Sequence, residues 1–319
     1  MSVGYKMNIL YHMAGDDTAP WLAELAAFLP QARVRIWQPG DRDPADYALV
    51  WKPPVELLQQ RAGLKAVFNL GAGVDAILAL LRRHPDLLPQ QVPLIRIEDA
   101  GMGTEMAEYV HHAVVRHFRR MNDYARQQAS GTWEPLTSRA RTAHRIGVMG
   151  LGALGAQVAA SLAGAGFPVR GWSRSPKQLE AIECFDGHAN LDRFLDGLHV
   201  LVNLLPLTAD TENILNRRLF ARLAPGAQLI NVARGAHLVD EDLLSALAEG
   251  QLAAAMLDVF RQEPLPADHP FWREPRIEIT PHVSAMTQRA ESVRQITDKI
   301  KALERGELVT GIVDRMRGY

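Results

Sequence analysis

The chain has 319 residues, of which 47% are hydrophobic and 22% charged, and its formal net charge is −1. This length favours two domains, because single hydrophobic cores rarely grow past about 250 to 300 residues. The balanced charge argues against a nucleic-acid partner, since proteins that bind phosphate backbones carry a basic excess. The single cysteine, Cys184, rules out an intrachain disulfide and fits a reducing compartment. No segment resembles a signal peptide or reaches the roughly 20 apolar residues of a membrane span, so we expect a cytoplasmic protein without membrane contact.

Short apolar segments alternate with helical patterns over the first hundred residues. Because these segments are almost entirely apolar, with Arg35 an exception, they predict a parallel sheet with helices on both faces. The predicted strands cover residues 7–11, 34–37, 47–51, 66–70 and 93–97, and the predicted helices cover 21–29, 54–61 and 74–83.

The glycine-rich segment EDAGMGT, residues 98–104, predicts a domain boundary. Apolar residues then recur every three or four positions and predict one long helix over 105–121 with a continuous buried face. His111, His112 and His117 lie on this helix. Because adjacent helical residues point in different directions, we predict no metal site there, nor elsewhere in the chain.

A second alternating series begins at residue 145. Its six predicted strands are RIGVMG, PVRGW, VLVNLLP, AQLINV, AAAMLDV and RIEIT, and an amphipathic helix follows over 288–308. The sequence therefore predicts an α/β protein with two doubly wound parallel-sheet domains.

Within the segment RIGVMGLGALG, residues 145–155, the glycine motif GLGALG has the context of a dinucleotide-binding turn, because it follows an apolar strand and opens a helix. Gly150 permits the tight turn, Gly152 lets backbone amides approach a pyrophosphate, and Gly155 allows close helix–sheet packing. We predict that Gly150, Gly152, Ala153, Leu154 and Gly155 bind the pyrophosphate of a dinucleotide.

About twenty residues later, where such turns usually carry an acid for the adenosine ribose, the chain reads GWSRSPK, residues 171–177. Ser173, Arg174 and Ser175 replace the acid, and Lys177 adds positive charge. A guanidinium makes charge-assisted bonds to phosphate oxygens, so this segment favours NADP over NAD. The alternative is a solvated turn that is basic by chance.

Charged and polar residues also follow three later strands, at the edge where ligands bind in open α/β sheets. Arg234 follows one strand, Asp258 and Glu263 follow the next, and His282 follows the last.

With the glycine turn, these segments resemble the D-isomer-specific 2-hydroxyacid dehydrogenase family over essentially the whole chain. The resemblance rests on VMGLGALG, NLLPLTADT, NVARGAHLVDEDLL, MLDVFRQEPLP and TPHVSA, in that order. It implies a flavodoxin-like substrate-binding domain, residues 1–103 and 286–319, with an inserted Rossmann NADP-binding domain, residues 104–285. The cleft between them would hold NADPH and a 2-oxo acid.

A narrower resemblance within the family rests on VWKPPVE, KAVFNLGAGVDAIL, EDAGMGTEMAEYV, the SRS segment and VDRMRGY. It implies reduction of glyoxylate to glycolate and of hydroxypyruvate to glycerate. Two alternatives stay open: an NAD-dependent dehydrogenase for a bulkier acid, and a non-enzymatic dinucleotide-sensing protein.

Reduction of a 2-oxo acid requires a hydride donor, a proton donor and a group that holds the carboxylate. His282 is the candidate proton donor, because histidine titrates near neutral pH. Glu263 would stabilise the protonated imidazole, and Arg234 would hold the carboxylate and polarise the carbonyl. The resemblance assigns the same roles to these three residues.

Further residues come mainly from the resemblance. It places the substrate carboxylate at the amides of Ala72 and Gly73, and Leu205, Pro206 and Asp258 beside the nicotinamide. Trp51 either borders the substrate or packs in the core. Trp133 is a candidate for reaching the active site of a partner subunit, since the resemblance implies a homodimer that packs through the helix 105–121.

Overall fold

The computed structural model describes residues 7–14 and 18–319. Residues 1–6, with which the predicted substrate-binding domain begins, and residues 15–17 lie outside the described residues. The chain divides into two compact units. One runs up to Gly101 and resumes over Thr287–Tyr319, and the other is Met102–Met286.

In chain order the strands are β1 Met7–Met13, β2 Ala32–Ile36, β3 Tyr47–Trp51, β4 Ala66–Asn69, β5 Leu94–Arg96, β6 Ile146–Met149, β7 Val169–Ser173, β8 Ile182–Asp186, β9 Val200–Asn203, β10 Ala227–Asn231, β11 Leu252–Leu257 and β12 Ile277–Ile279. The α-helices are α1 Thr18–Phe28, α2 Val55–Leu58, α3 Asp75–Arg83, α4 Met102–Phe118, α5 Met121–Ala129, α6 Ala153–Gly164, α7 Leu191–Leu195, α8 Arg217–Phe220, α9 Asp240–Ala248 and α10 Arg289–Glu304. Among the described residues, no helix has both the length and the apolar character needed to cross a membrane.

The first unit is built on a five-stranded parallel sheet in the order β2-β1-β3-β4-β5. This is the flavodoxin-like order, in which β2 lies on one side of β1 and all later strands are added on the other side. Strand β3 is buried on both faces over Tyr47–Val50 because helices cover the sheet. The C-terminal segment also belongs to this unit, and Ile312 pairs antiparallel with Ile95 of β5.

The second unit contains a seven-stranded parallel sheet in the order β12-β11-β10-β9-β6-β7-β8. Counted from β6, this is the Rossmann order 3-2-1-4-5-6 with one further strand, and the order reverses between β6 and β9. Its core contains the fully buried rings of Phe194, Phe220 and Phe271. The predicted fold class is confirmed: both sheets are parallel and doubly wound.

Three details of the prediction are wrong. The helix expected over 105–121 is two helices, because Arg120 takes a left-handed φ of 59° between α4 and α5. Strand β8 was missed because it is a partly exposed edge strand that carries Glu183 and Asp186, and it pairs only with β7. The helix expected over 54–61 covers only Val55–Leu58 because Gln60 takes a left-handed φ of 52°.

Candidate active site

The carboxyl edge of the seven-stranded sheet gathers most of the predicted site residues. Gly150 follows β6, Ser173 ends β7, Leu205 follows β9, Arg234 follows β10 and Asp258 follows β11. These strands are adjacent and parallel, so the loops that leave them emerge on the same side of the sheet.

The glycine turn is shaped by close backbone contacts at two of its three glycines. Gly150 has a φ of +96°, and a Cβ atom there would lie 2.6 Å from the carbonyl oxygen of Leu204. A Cβ on Gly155 would lie 1.8 Å from the carbonyl oxygen of Gly150. Gly152, the N-cap of α6, has no heavy atom within 4 Å of its Cβ position. The N-terminus of α6 is therefore open at the Cβ position of Gly152, which fits a bound pyrophosphate.

The turn after β7 has a buried start and an exposed continuation. The hydroxyl of Ser173 is buried and donates to the carbonyl oxygen of Ser175 at 2.8 Å, whereas Arg174, Ser175 and Lys177 are exposed. An acidic residue that the sequence did not reveal lies nearby, because Asp186 at the end of β8 is in register with Ser173.

Glu263 and His282 form a direct pair. Oε2 of Glu263 lies 2.9 Å from Nδ1 of His282, and both side chains are partly exposed. Oε1 of Glu263 accepts from the backbone amide of Phe260 at 3.0 Å, which fixes the orientation of the carboxylate. The sequence predicted this pairing from two segments that lie 19 positions apart.

The loop that carries His282 is held by the buried carboxylate of Asp258. His282 has a left-handed φ of 58°, and its amide donates to the carbonyl oxygen of Asp258 at 2.9 Å. The carboxylate accepts from the hydroxyl of Thr280 at 2.6 Å and from the amides of Val283 and Ser284, each at 2.8 Å. These contacts give Asp258 a loop-anchoring role, while its predicted contact with a nicotinamide stays a prediction.

Tyr109 of α4 extends this network. Its hydroxyl lies 2.5 Å from that of Thr280, which itself donates to Asp258. Burial raises the pKa of Tyr109 to about 12, so the phenol remains protonated and acts as a hydrogen-bond donor at neutral pH.

Arg234 lies in a turn that packs directly against the Glu263 loop. Its guanidinium donates to the carbonyl oxygen of Ala233 at 2.6 Å. A Cβ on the next residue, Gly235, would lie 1.8 Å from the carbonyl carbon of Phe260, so the two backbones touch. Arg261 adds hydrogen bonds to the carbonyl oxygens of Ala236 and Leu238. Neither Gly235 nor Arg261 belongs to the site predicted from the sequence.

The loop after β9 is closed by hydrogen bonds to its backbone. The amide of Leu205 donates to the side chain of Asn203 at 3.3 Å. The carbonyl oxygen of Pro206 accepts from the hydroxyl of Thr211 at 2.7 Å and from Nε2 of His237 at 3.3 Å. Leu205 and Pro206, two of the three residues predicted beside the nicotinamide, therefore lie in a defined loop.

In the other unit, Trp51, Ala72 and Gly73 lie on neighbouring strand ends. Gly71 is required by Trp51, because a Cβ on Gly71 would lie 2.5 Å from the indole ring. The side chain of Asn69 donates to the carbonyl oxygens of Gly71 and Gly73 at 2.8 and 2.9 Å. Since C=O and N–H point in opposite directions in a trans peptide, this orients the Ala72 amide away from Asn69.

Trp133 is not placed with any of these residues. It lies after α5 and is 99% exposed. Within residues 7–14 and 18–319, no three His, Cys, Asp or Glu side chains are grouped so that they could hold a metal ion.

The fold and the glycine turn define a Rossmann-type dinucleotide-binding protein. Residues 111–284 match the family model for the NAD-binding domain of D-isomer specific 2-hydroxyacid dehydrogenases. The chain is 53% identical to glyoxylate/hydroxypyruvate reductase A of Serratia proteamaculans (strain 568), across 98% of this chain and 100% of that relative.

Solved structures agree. One is a D-isomer specific 2-hydroxyacid dehydrogenase from Xanthobacter autotrophicus Py2 in complex with NADPH and MES, with a TM-score of 0.92, 41% identity and 98% and 99% of the two chains covered. Another is the NADPH-dependent glyoxylate/hydroxypyruvate reductase from Sinorhizobium meliloti in complex with NADP and sulfate, with a TM-score of 0.89, 36% identity and 98% and 100% covered. The chain belongs to the D-isomer-specific 2-hydroxyacid dehydrogenase family, and the resemblance inferred from its motifs is confirmed.

Proposed function

We propose that this protein is an NADPH-dependent reductase of small 2-oxo acids that converts glyoxylate to glycolate and hydroxypyruvate to glycerate. The observation that carries the proposal is the Glu263–His282 pair at the sheet edge that also bears the glycine turn. The relatives named glyoxylate/hydroxypyruvate reductase A, which this chain covers over their whole length, support the choice of substrate, and the solved relatives in complex with NADPH or NADP support the choice of cofactor.

His282 is the proposed proton donor. Glu263 accepts from Nδ1, which leaves Nε2 as the imidazole atom that gives its proton to the developing alkoxide of the substrate. The contact with Glu263 also holds the imidazole ring in the orientation that presents Nε2 to the substrate. Arg234 is the proposed carboxylate-binding residue, because a guanidinium can hold a carboxylate through two parallel hydrogen bonds.

NADPH, when bound, supplies the hydride. The amides of Gly152, Ala153 and Leu154 would hold its pyrophosphate, and the open space at Gly152 fits this role. The exposed turn of Ser173, Arg174, Ser175 and Lys177 would bind the 2′-phosphate. We assign Leu205, Pro206 and Asp258 to the nicotinamide side, where they act through shape and orientation.

We assign substrate binding in the other unit to Trp51, Ala72 and Gly73. The hydrogen bonds from Asn69 support this assignment, since they fix the glycine turn that carries the Ala72 amide. Residues 1–103 and 286–319 would then form the substrate-binding domain, and residues 104–285 the NADP-binding domain.

We also propose a cytoplasmic homodimer. The exposed aromatic side chains of Tyr124 and Trp133 support self-association, because large apolar groups at a surface are typical of interfaces. Sedimentation of the purified protein would test the dimer directly, and a monomer at micromolar concentration would contradict it.

Turnover decides the main proposal. We expect loss of reduced-nicotinamide absorbance when NADPH is mixed with glyoxylate or hydroxypyruvate. His282→Gln should lower kcat by about 100-fold or more, and Glu263→Gln by a smaller factor, since the second variant keeps a hydrogen bond but loses the charge. NADPH binding, followed by fluorescence, should be unchanged in both variants.

The matched control is Glu249→Gln, because Glu249 forms an exposed ion pair with Arg217 in the same unit and should not affect rate. Tight NADPH binding without reduction of any 2-oxo acid would indicate that the protein is a dinucleotide sensor and not a reductase. Clear preference for a bulkier acid would support the dehydrogenase activity but contradict the proposed small 2-oxo acid substrates.

A further inference from the structure

A buried chain of hydrogen bonds joins the loop after β9 to the turn after β10. Asn203 and Asn231 are the last residues of these strands and lie in register. The side-chain nitrogen of Asn203, Nδ2, is 3.0 Å from Oδ1 of Asn231 and 2.9 Å from Nδ1 of His237. All three residues have no exposed surface.

Each end of this chain reaches a backbone carbonyl beside a residue of the candidate active site. Nε2 of His237 lies 3.3 Å from the carbonyl oxygen of Pro206, and Nδ2 of Asn231 donates to the carbonyl oxygen of Arg234 at 3.1 Å. These hydrogen bonds therefore connect the loop after β9, which carries Pro206, to the turn after β10, which carries Arg234.

The partners of His237 fix where its proton lies. A carbonyl oxygen can only accept, so Nε2 carries the hydrogen. The amide nitrogen of Asn203 can only donate, so Nδ1 offers its lone pair. The ring therefore bridges the two segments with one donor and one acceptor, and losing either function takes one buried hydrogen bond from the Pro206 carbonyl oxygen or from the Asn203 side-chain amide.

We propose that His237 is a positioning residue for the reduction of 2-oxo acids, acting by holding the Pro206 loop in register with the Arg234 turn. This inference rests on the proposed function. His237 touches no reacting atom, and its effect comes from the geometry of the two loops, since small displacements of oriented groups cost rate steeply.

Two variants separate the functions of the ring. His237→Leu removes both hydrogen bonds with little change in volume, and His237→Asn keeps an acceptor for Asn203 but does not reach Pro206. We expect kcat/KM for glyoxylate to fall by about 10- to 100-fold in His237→Leu, mainly through a higher KM, and less in His237→Asn. The isotope effect on kcat/KM with deuterated NADPH should rise in His237→Leu, because a more weakly held substrate dissociates faster relative to hydride transfer.

Gln251→Leu is the matched control for stability. Gln251 donates two hydrogen bonds from its side chain to the carbonyl oxygens of Phe220 and Leu223 in the same unit. This variant should lower Tm as His237→Leu does, while its KM and isotope effect remain those of the wild type.

Unchanged KM and isotope effect in His237→Leu, per folded enzyme, would overturn the proposal and leave His237 with a structural role alone. If the wild type itself fails to reduce glyoxylate, the proposed function fails, and His237 is then read through the rise in Tm that NADPH produces. His237→Leu should show less than half of the wild-type rise, and an equal rise would overturn the positioning role.

Discussion

Arg174 lies in an exposed turn at the end of β7, where one side chain can decide between two cofactors. We predict that Arg174→Ala lowers kcat/KM with NADPH by about 10- to 100-fold and leaves kcat/KM with NADH unchanged, because the lost guanidinium would bind only the 2′-phosphate. Steady-state kinetics with both cofactors measure this ratio.

Arg218→Ala supplies the control for this prediction, since Arg218 is an exposed arginine of α8 in the same unit and should not change the ratio. Asp186→Asn adds a second comparison, because Asp186 lies in register with Ser173. A variant of Arg174 that keeps the NADPH preference would remove the turn from cofactor selection.

At the residue scale, the sequence predicted what local motifs carry. Glu263 and His282 were inferred as partners because each follows a predicted strand of one parallel sheet. Asn69, His237 and Gly235 were not found, since their importance depends on contacts with the backbone of Gly71, Pro206 and Phe260. Such contacts appear only when the turns are placed in space.

The Arg234 turn and the Glu263 loop behave as one element because their backbones touch at Gly235. We predict that Gly235→Ala lowers the free energy of unfolding by about 1–3 kcal/mol and also lowers kcat/KM, because the added methyl group forces the two loops apart. Urea unfolding and glyoxylate kinetics on the same preparation test both effects.

Gly164→Ala is the appropriate comparison, because Gly164 is the last residue of α6 and its Cβ position meets nothing within 4 Å. It should be neutral or raise the free energy of unfolding by up to about 1 kcal/mol. If Gly235→Ala unfolds like the wild type, the backbone contact is not a constraint.

At the element scale, eleven of the twelve strands in the described part of the chain coincide with segments predicted as strands from the sequence. Most of them were predictable because strands that are buried on both faces are rich in apolar residues. Strand β8 escaped because an edge strand tolerates charged side chains, and the break between α4 and α5 escaped because Arg120 has no sequence signal for a left-handed φ.

The whole molecule carries a built-in sensitivity to acid. Burial lowers the pKa of His144 to about 3, with neighbouring His117 and His199 adding repulsion. Burial also lowers the pKa of His117 to about 4, and Arg139 contributes in the same direction. Both rings are 7% exposed or less.

Because these folded-state pKa values lie below the ordinary value of 6.5, the unfolded chain binds more protons at mildly acidic pH. The part of the free energy of unfolding that depends on these two histidines is intact above pH 6.5 and is lost as the pH falls toward 4. Each histidine should lower the free energy of unfolding by about 2 kcal/mol at pH 5, relative to neutral pH. Urea unfolding at pH 7.5 and pH 5 measures the loss.

His144→Phe should remove about half of the loss that these two histidines cause, whereas His84→Gln should leave it unchanged, since His84 is exposed. A pH dependence identical in all three proteins would show that the buried rings do not determine acid stability.

The pairing of Ile312 with Ile95 means that the outer side of β5 is not left as a bare strand edge. Arg315 reinforces the cover through hydrogen bonds to the carbonyl oxygens of Leu88 and Val92. An uncovered edge offers backbone groups to any other chain. We therefore expect a protein that ends before residue 309 to retain its nucleotide-binding unit and still to precipitate more readily than the full chain. For the same reason, an affinity tag at the C-terminus should leave this segment undisturbed.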